Sequence, residues 1–238
     1  MLFFIASVIT RSAGCIINDL FDQDYDKHVS RTKDRPLASG QLGTKDALIL
    51  LGILLSCSLA ILLTLNKTSI YLGLLAFIMI VLYPLMKRIT NLPQVFLGLT
   101  FNFGALIGSS AVIDRVSLAS FIMYIACCFW TISYDTIYGF MDLTDDKGVK
   151  VKSMALFLEH KNYKLHLYSY YTLFIILFII ANLVAKHHIG YLDIFFACCS
   201  LIWQVFTLDI SDPHNCLLRF KNNNYVGLIL VSAQIDIF

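Results

Sequence analysis

Residues 46–65 read DALILLGILLSCSLAILLTL. Past Asp46 the run carries no charge, and its length is about what a helix needs to cross the hydrocarbon of a bilayer. Similar apolar runs recur at 69–86, 95–113, 117–138, 166–185 and 189–207, and shorter ones at 1–18 and 225–238 bring the expected number of membrane helices to about eight. The whole chain agrees: of 238 residues 58% are hydrophobic and 14% charged, against roughly 45–50% and 25% in a soluble domain. Mean hydropathy is +0.74. A water-soluble core could not hide that much apolar surface, whereas lipid solvates it. The expectation is an all-α, polytopic membrane helical bundle in which 1–238 forms one transmembrane domain. The opening stretch MLFFIASVITRSAGCIINDL lacks a basic leader and is interrupted by Arg11, so it reads as a membrane helix rather than a signal peptide.

The segments between the runs alternate in kind. Those at 66–68, 114–116 and 186–188 are tight, while those at 19–45, 139–165 and 208–224 are long and polar. Lys and Arg collect with the long ones: Lys27, Arg31, Lys33, Arg35, Lys45, Lys87, Arg88, Lys147, Lys150, Lys152, Lys161, Lys164, Arg219 and Lys221 on one side, against Lys67, Arg115 and Lys186 on the other. Positive-inside bias therefore puts the long loops in the cytoplasm. The net charge of +2 gives no reason to expect a nucleic-acid partner. The seven cysteines sit mostly in apolar runs without CxxC spacing and read as small hydrophobes.

The acids mark the chemistry. Nine of sixteen fall in two places on the long-loop side: Asp19, Asp22, Asp24, Asp26 and Asp34 in the first, and Asp135, Asp142, Asp145 and Asp146 in the second. Glu159 is the only Glu. If the first helix continues past its apolar run, Asn18, Asp22 and Asp26 fall at i, i+4 and i+8 on one face; Asp142 and Asp146 repeat the spacing. Stacked short carboxylates repel unless a hard cation neutralises them, and Mg²⁺ takes a few carboxylates while leaving positions for phosphate oxygens. Two such faces turned toward each other would hold a magnesium-bridged diphosphate. Arg31, Arg35, Lys87, Arg88 and Lys152 lie within a few residues of these clusters or at a helix end on the same side, and Arg in particular grips phosphate through paired hydrogen bonds. The bland reading is a pair of solvated loops with snorkelling basic residues; it leaves the repetition unexplained.

Four segments carry a resemblance: GCIINDLFDQDYDKHVSRTKDRPLASGQ at 14–41, YPLMKRITNLPQ at 83–94, YDTIYGFMDLTDDKGVKVKS at 134–153 and NNNYVG at 222–227. Together they resemble the UbiA-type membrane aromatic prenyltransferases, nearest to those that act on 4-hydroxybenzoate in ubiquinone biosynthesis. The resemblance implies a magnesium-dependent enzyme of the bacterial or mitochondrial inner membrane whose partners are a polyprenyl diphosphate, 4-hydroxybenzoate and the lipid bilayer. It implies metal and diphosphate binding by Asn18, Asp22 and Asp26 and by Asp142 and Asp146, with Asp19 in the same first motif. It points to Arg88 as the leading diphosphate-binding cation, with Lys87, Arg31 and Lys152 behind it; Arg35 joins the diphosphate-binding set on its place beside the first acidic cluster. Against the family's pattern of about nine helices, the chain opens close to GCxxND, so an N-terminally incomplete domain is expected.

The chemistry implied is ionisation of the allylic diphosphate, attack by the phenol ring through carbon, and proton loss. Ring faces would shield the allyl cation; Tyr83, four residues before Lys87, and Tyr138, one turn before Asp142, are best placed. Asn102 is either a hydrogen-bond partner for the acceptor or a helix-packing residue. Two readings compete: an inactive remnant, and a cation transporter using interfacial carboxylates. The second would need acids at depth, where this chain has almost none.

Overall fold

The computed structural model describes residues 1–29, 31–149 and 151–234, which form helices and connecting turns with no strand among them. In chain order the helices are α1 (Leu2–Asp26), α2 (Thr44–Leu62), α3 (Lys67–Ile89), α4 (Pro93–Phe101), α5 (Phe103–Ile113) and α6 (Leu118–Gly139). A turn of 3-10 helix, Phe140–Asp142, leads to α7 (Leu143–Val149), α8 (Met154–Leu158), α9 (Tyr163–Ala185), α10 (Tyr191–Phe206) and α11 (Pro213–Ser232). Six stretches among the described residues are long and apolar enough to cross a membrane: α1, α2, α3, α4 with α5, α6 with its continuation to Gly148, and α9. The expectation of about eight is met by six on that criterion. The others are α10, apolar but only 16 residues long, and α11, whose polar first half falls short.

Three boundaries differ from the apolar pattern, each for a physical reason. The first helix does not stop at residue 18 but continues to Asp26, because its carboxylates find cations, as described below. The run at 95–113 is split at Asn102, whose side-chain amide donates to the Gly98 carbonyl (2.7 Å) and to Thr131 Oγ1 (2.8 Å); it therefore packs α4 against α6. The last helix begins at Pro213, not 225, and ends at Ser232; positions 235–238 of the expected span lie outside the described residues. Its polar residues hid it, yet Cys216, Asn223, Val226 and Leu230 are buried along one helical face.

The hub is α6. Buried residues occur around much of its circumference, among them Ser120, Ala126, Thr131, Ser133 and Thr136. Small side chains let neighbours approach on several sides, and their hydroxyls are satisfied locally, as Thr136 Oγ1 donating to the Ile132 carbonyl at 2.6 Å. Across from it, a Cβ at Gly98 would stand 2.9 Å from the Cys128 carbonyl oxygen, so only glycine permits that approach. One core joins α6, α8, α9, α10 and α11, and a smaller one joins α3, α5 and α6. By contrast α2 buries only Ala47 and turns Leu48, Ile49 and Ile53 outward, where lipid solvates them.

Inside the larger core Asn223 Oδ1 accepts from Trp130 Nε1 (2.8 Å) and its Nδ2 donates to Gln204 Oε1 (2.9 Å), linking α6, α10 and α11. Trp130 also stacks on Phe174 of α9 at 5.1 Å. Replacing Asn223 with Leu strands the indole N–H, at about 1–3 kcal/mol, while the Gln204 carbonyl keeps only the Tyr171 hydroxyl at 3.3 Å. The thermal unfolding midpoint of the detergent-solubilised variant is expected to fall by roughly 2–10 °C; an unchanged midpoint rejects this hydrogen-bonded junction as a stabilising element.

Candidate active site

Chain direction brings the C-terminal ends of α1, α3 and α6 and the N-terminal end of α4 to one end of the bundle. The last turns of α1 present Asn18, Asp19, Asp22 and Asp26 there, with Asp22 and Asp26 buried. Helix continues through this acidic stretch because each carboxylate acquires a cation. Lys87, in the last turn of α3, places Nζ 2.7 Å from Asp22 Oδ2. The segment 27–43 folds back over α1: Thr32 Oγ1 donates to the Asp26 carbonyl at 3.2 Å, and Arg35 Nη1 bridges Asp19 (2.8 Å) and Asp26 (2.9 Å).

From the same segment Arg31 reaches the second cluster. Its Nε donates to Asp142 Oδ1 at 2.9 Å, a second nitrogen donates to Asp142 Oδ2, and Nη1 donates to the Tyr138 hydroxyl; its Cζ lies 4.7 Å from the Tyr138 ring centroid. Burial alone would disfavour the Arg31 charge, but the hydrogen bonds and charge of Asp142 outweigh it and hold the guanidinium pKa above its ordinary value. Asp146 lies where it feels the charges of Asp142, Lys87 and Arg31. Lys87 thus grips the first cluster and acts on the second, and Arg31 does the reverse.

The remaining expected residues take other places. Arg88 donates to the Phe21 carbonyl at 3.0 Å and lies 5.3 Å from the Tyr25 ring, beside the first cluster but bound to no carboxylate. Lys152 closes the end of α3: its backbone N–H donates to the Lys87 carbonyl (3.0 Å) and its Nζ to the Ile89 carbonyl (3.1 Å). Tyr83 meets Phe101 edge-on at 5.8 Å, below Lys87. Lys147 pairs with Glu159, the residue just past α8, at 2.7 Å, and Lys150 lies outside the described residues.

Below the acids a cavity of about 740 Å³ is walled by apolar side chains of α1, α2, α3, α4 and α5, a size common for ligand sites. Its wall runs up α1 as far as Ile17, next to Asn18. Here the structure adds Arg11 and Gln94 and gives Asp135, already read with the second cluster, its place. Arg11 lines the cavity, its Cζ 5.9 Å from the Phe101 ring; the signal was a lone charge in an apolar helix, in itself a functional mark. Asp135, two turns before Asp142, lies where it feels the charges of Lys87, Arg31 and Arg11. Gln94 is buried and its Oε1 accepts from the Met154 N–H at 3.0 Å; no sequence spacing pointed to it.

The donors available for a cation are carboxylate oxygens, the hard ligands Mg²⁺ prefers. No three His, Cys, Asp or Glu side chains converge on one point among the described residues. That combination fits an ion held by one or two carboxylates and completed by phosphate oxygens, rather than a closed protein cage. At the opposite end Asp114 accepts from Thr68 and Asp193 from Ser232.

A model of the UbiA prenyltransferase family matches residues 1–227. The chain is 45% identical over 235 residues to the mitochondrial 4-hydroxybenzoate polyprenyltransferase of Caenorhabditis elegans, covering 98% of this chain and 65% of that protein. It is 35% identical to the 4-hydroxybenzoate octaprenyltransferase of Haemophilus ducreyi, covering 100% and 86%. The chain spans between about half and two thirds of the animal relatives it matches. Among solved structures, a UbiA homolog from Aeropyrum pernix superposes with a TM-score of 0.82 at 24% identity, over 98% of this chain and 86% of that one. A UbiA homolog from Archaeoglobus fulgidus bound to DMAPP and Mg²⁺ does so at 0.68 and 18%, over 100% and 89%. These two show the fold.

The Lys87–Asp22 pair offers a direct test of the site's electrostatics. Lys87→Met leaves a carboxylate with 8% side-chain exposure unpaired, and a melting temperature lowered by the equivalent of a few kcal/mol is expected. The loss stays below the roughly 3–5 kcal/mol of a sealed pair, since Lys87 keeps 32% of its side-chain surface. Adding Asp22→Asn should recover most of it; a double variant as unstable as the single one rejects the pairing.

Proposed function

This chain belongs to the UbiA prenyltransferase family, an integral membrane family, and from that premise we propose that it moves a polyprenyl group from an allylic polyprenyl diphosphate to the ring of 4-hydroxybenzoate in ubiquinone biosynthesis. Residues 1–238 act in this reading as one prenyltransferase domain of a bacterial or mitochondrial inner membrane, its acidic end on the cytoplasmic side where the basic residues gather. The observation that carries the reading is the arrangement of two acidic clusters, cross-linked by Lys87 and Arg31, directly above an apolar cavity.

Asn18, Asp22 and Asp26, with Asp19 beside them, and Asp142 and Asp146 would hold Mg²⁺. When bound, the ion neutralises the leaving diphosphate and so favours breaking of the allylic C–O bond. The chain's own cations share that task. Lys87, Arg31 and Arg35 are already charged and aimed into the site, and they exchange a carboxylate oxygen for a phosphate oxygen as the diphosphate settles; Arg88 and Lys152 extend the positive rim. Charge placed in advance in a water-poor site costs no reorganisation when the bond breaks. Tyr83, edge-on to Phe101, offers a ring face to the allyl cation, while Tyr138, its ring already beneath Arg31, steadies that guanidinium beside the leaving group. The prenyl chain lies in the apolar cavity, where lipid-like walls exclude water. Arg11, the guanidinium in that wall, receives the carboxylate of 4-hydroxybenzoate and presents the ring to the allylic carbon. A ring carbon then bonds to that carbon and the ring loses its proton. Transport has no comparable support: Asp114 and Asp193 are engaged in local hydrogen bonds at the far end.

With Mg²⁺, a polyprenyl diphosphate and 4-hydroxybenzoate, the reconstituted protein is expected to form prenylated 4-hydroxybenzoate, and Asp22→Asn or Asp142→Asn to lower turnover at least about a hundredfold. Full turnover in both variants rejects the metal assignment. Arg11→Gln is expected to raise KM for 4-hydroxybenzoate roughly 10- to 100-fold, the range for losing a charge-assisted hydrogen bond, with KM for the diphosphate unchanged. A matched rise in both constants overturns the role given to Arg11.

A further inference from the structure

Arg219 of α11 is a cation that the proposed reaction does not use. Its Cζ lies 4.0 Å from the ring centroid of Trp203 on α10, and both residues sit near the end of the bundle that carries the acids. Stacking seals Nε, which is buried without a hydrogen-bond partner, while the guanidinium as a whole stays half-buried and donates to no described residue. No carboxylate among the described residues pairs with it. The nearby acids are occupied elsewhere: Asp209 accepts from Ser211, and Asp212 caps α11 through the His214 N–H. Lys164 is spent on the Phe206 carbonyl at 3.0 Å. The surroundings are lipid-facing: Trp203 is 46% exposed, with Ile202, Phe206 and Leu218 outward beside it.

A guanidinium set over an exposed tryptophan, with no carboxylate among the described residues paired to it, lacks an anionic partner. We propose that Arg219 and Trp203 form a binding site for the phosphate of an anionic glycerophospholipid in the leaflet that holds the acidic end. The guanidinium is planar and weakly hydrated, suited to paired hydrogen bonds with phosphate oxygens. Tryptophan at headgroup depth fixes its height, and the negative charge of the leaflet adds a roughly fivefold enrichment per basic residue. The site is independent of the acidic clusters and of prenyl transfer.

The test is tryptophan quenching in the full chain reconstituted into phosphatidylcholine vesicles, with either brominated phosphatidylglycerol or brominated phosphatidylcholine at the same mole fraction. The chain has two tryptophans. Trp130 is stacked on Phe174 within the bundle, so Trp203→Phe isolates its contribution. Trp203 emission is expected to be quenched at least about twofold more by brominated phosphatidylglycerol, saturating with its mole fraction, and Arg219→Gln with unchanged helical content should make the two lipids equivalent. Equal quenching by both lipids in the unaltered protein, a strictly linear dependence on mole fraction, or a preference that survives Arg219→Gln overturns the proposal; the first two need no variant.

Discussion

Lys87 on Asp22 and Arg31 on Asp142 are the ties on which the acidic end depends. Carboxylates gathered where helices leave lipid repel one another, and burying any of them unpaired costs several kcal/mol. The chain meets that cost by drawing a cation from a different element to each: α3 supplies Lys87, and the segment after α1 supplies Arg31 and Arg35. Helix α1 can therefore run on to Asp26 where its composition alone favours a loop. The same cations are those assigned to the diphosphate in the proposed reaction. In that reading the arrangement that stabilises the resting protein also stores positive charge where the leaving group is received.

The two halves of the molecule contribute differently. Helices α6, α9, α10 and α11 share an extensive aromatic and aliphatic core, with Asn223, Gln204 and Trp130 hydrogen-bonded inside it. Helices α1 to α5 enclose a cavity instead. A firm half beside a hollow one suits a reaction in which the charged groups must hold position while a long apolar chain is accommodated. Helix α6 joins the two, sharing the larger core on one side and packing against α3 and α5 on the other, and it carries Asp135 and Tyr138.

Much of this was legible in the sequence, and the failures have a common cause. Uncharged runs such as 47–65 announce membrane helices because nothing but lipid or protein can surround them. The i, i+4 spacing of Asp22 with Asp26 and of Asp142 with Asp146 announced acidic faces, and the structure brings both to one end. Apolar runs could not reveal a helix whose polar side chains are satisfied inside the bundle: α11 hid behind Asn222 and Asn223, one bonded to Ser200 and the other to Trp130 and Gln204. The break at Asn102 hid for the same reason. Pairing was illegible too, since which of several basic residues meets which acid depends on where helices end in space. Arg31 crosses to Asp142, 111 positions away, while Lys152, much nearer in sequence, binds backbone carbonyls instead.

Three consecutive residues join what the helices keep apart. Lys152 holds the last carbonyls of α3 and the Met154 N–H holds Gln94 in the first turn of α4, while Ser153 between them caps α8. This short splint fastens the end of α3, which carries Lys87, to the start of the next helix, so the turn between the two is braced from outside and Lys87 reaches its acid from a pinned backbone.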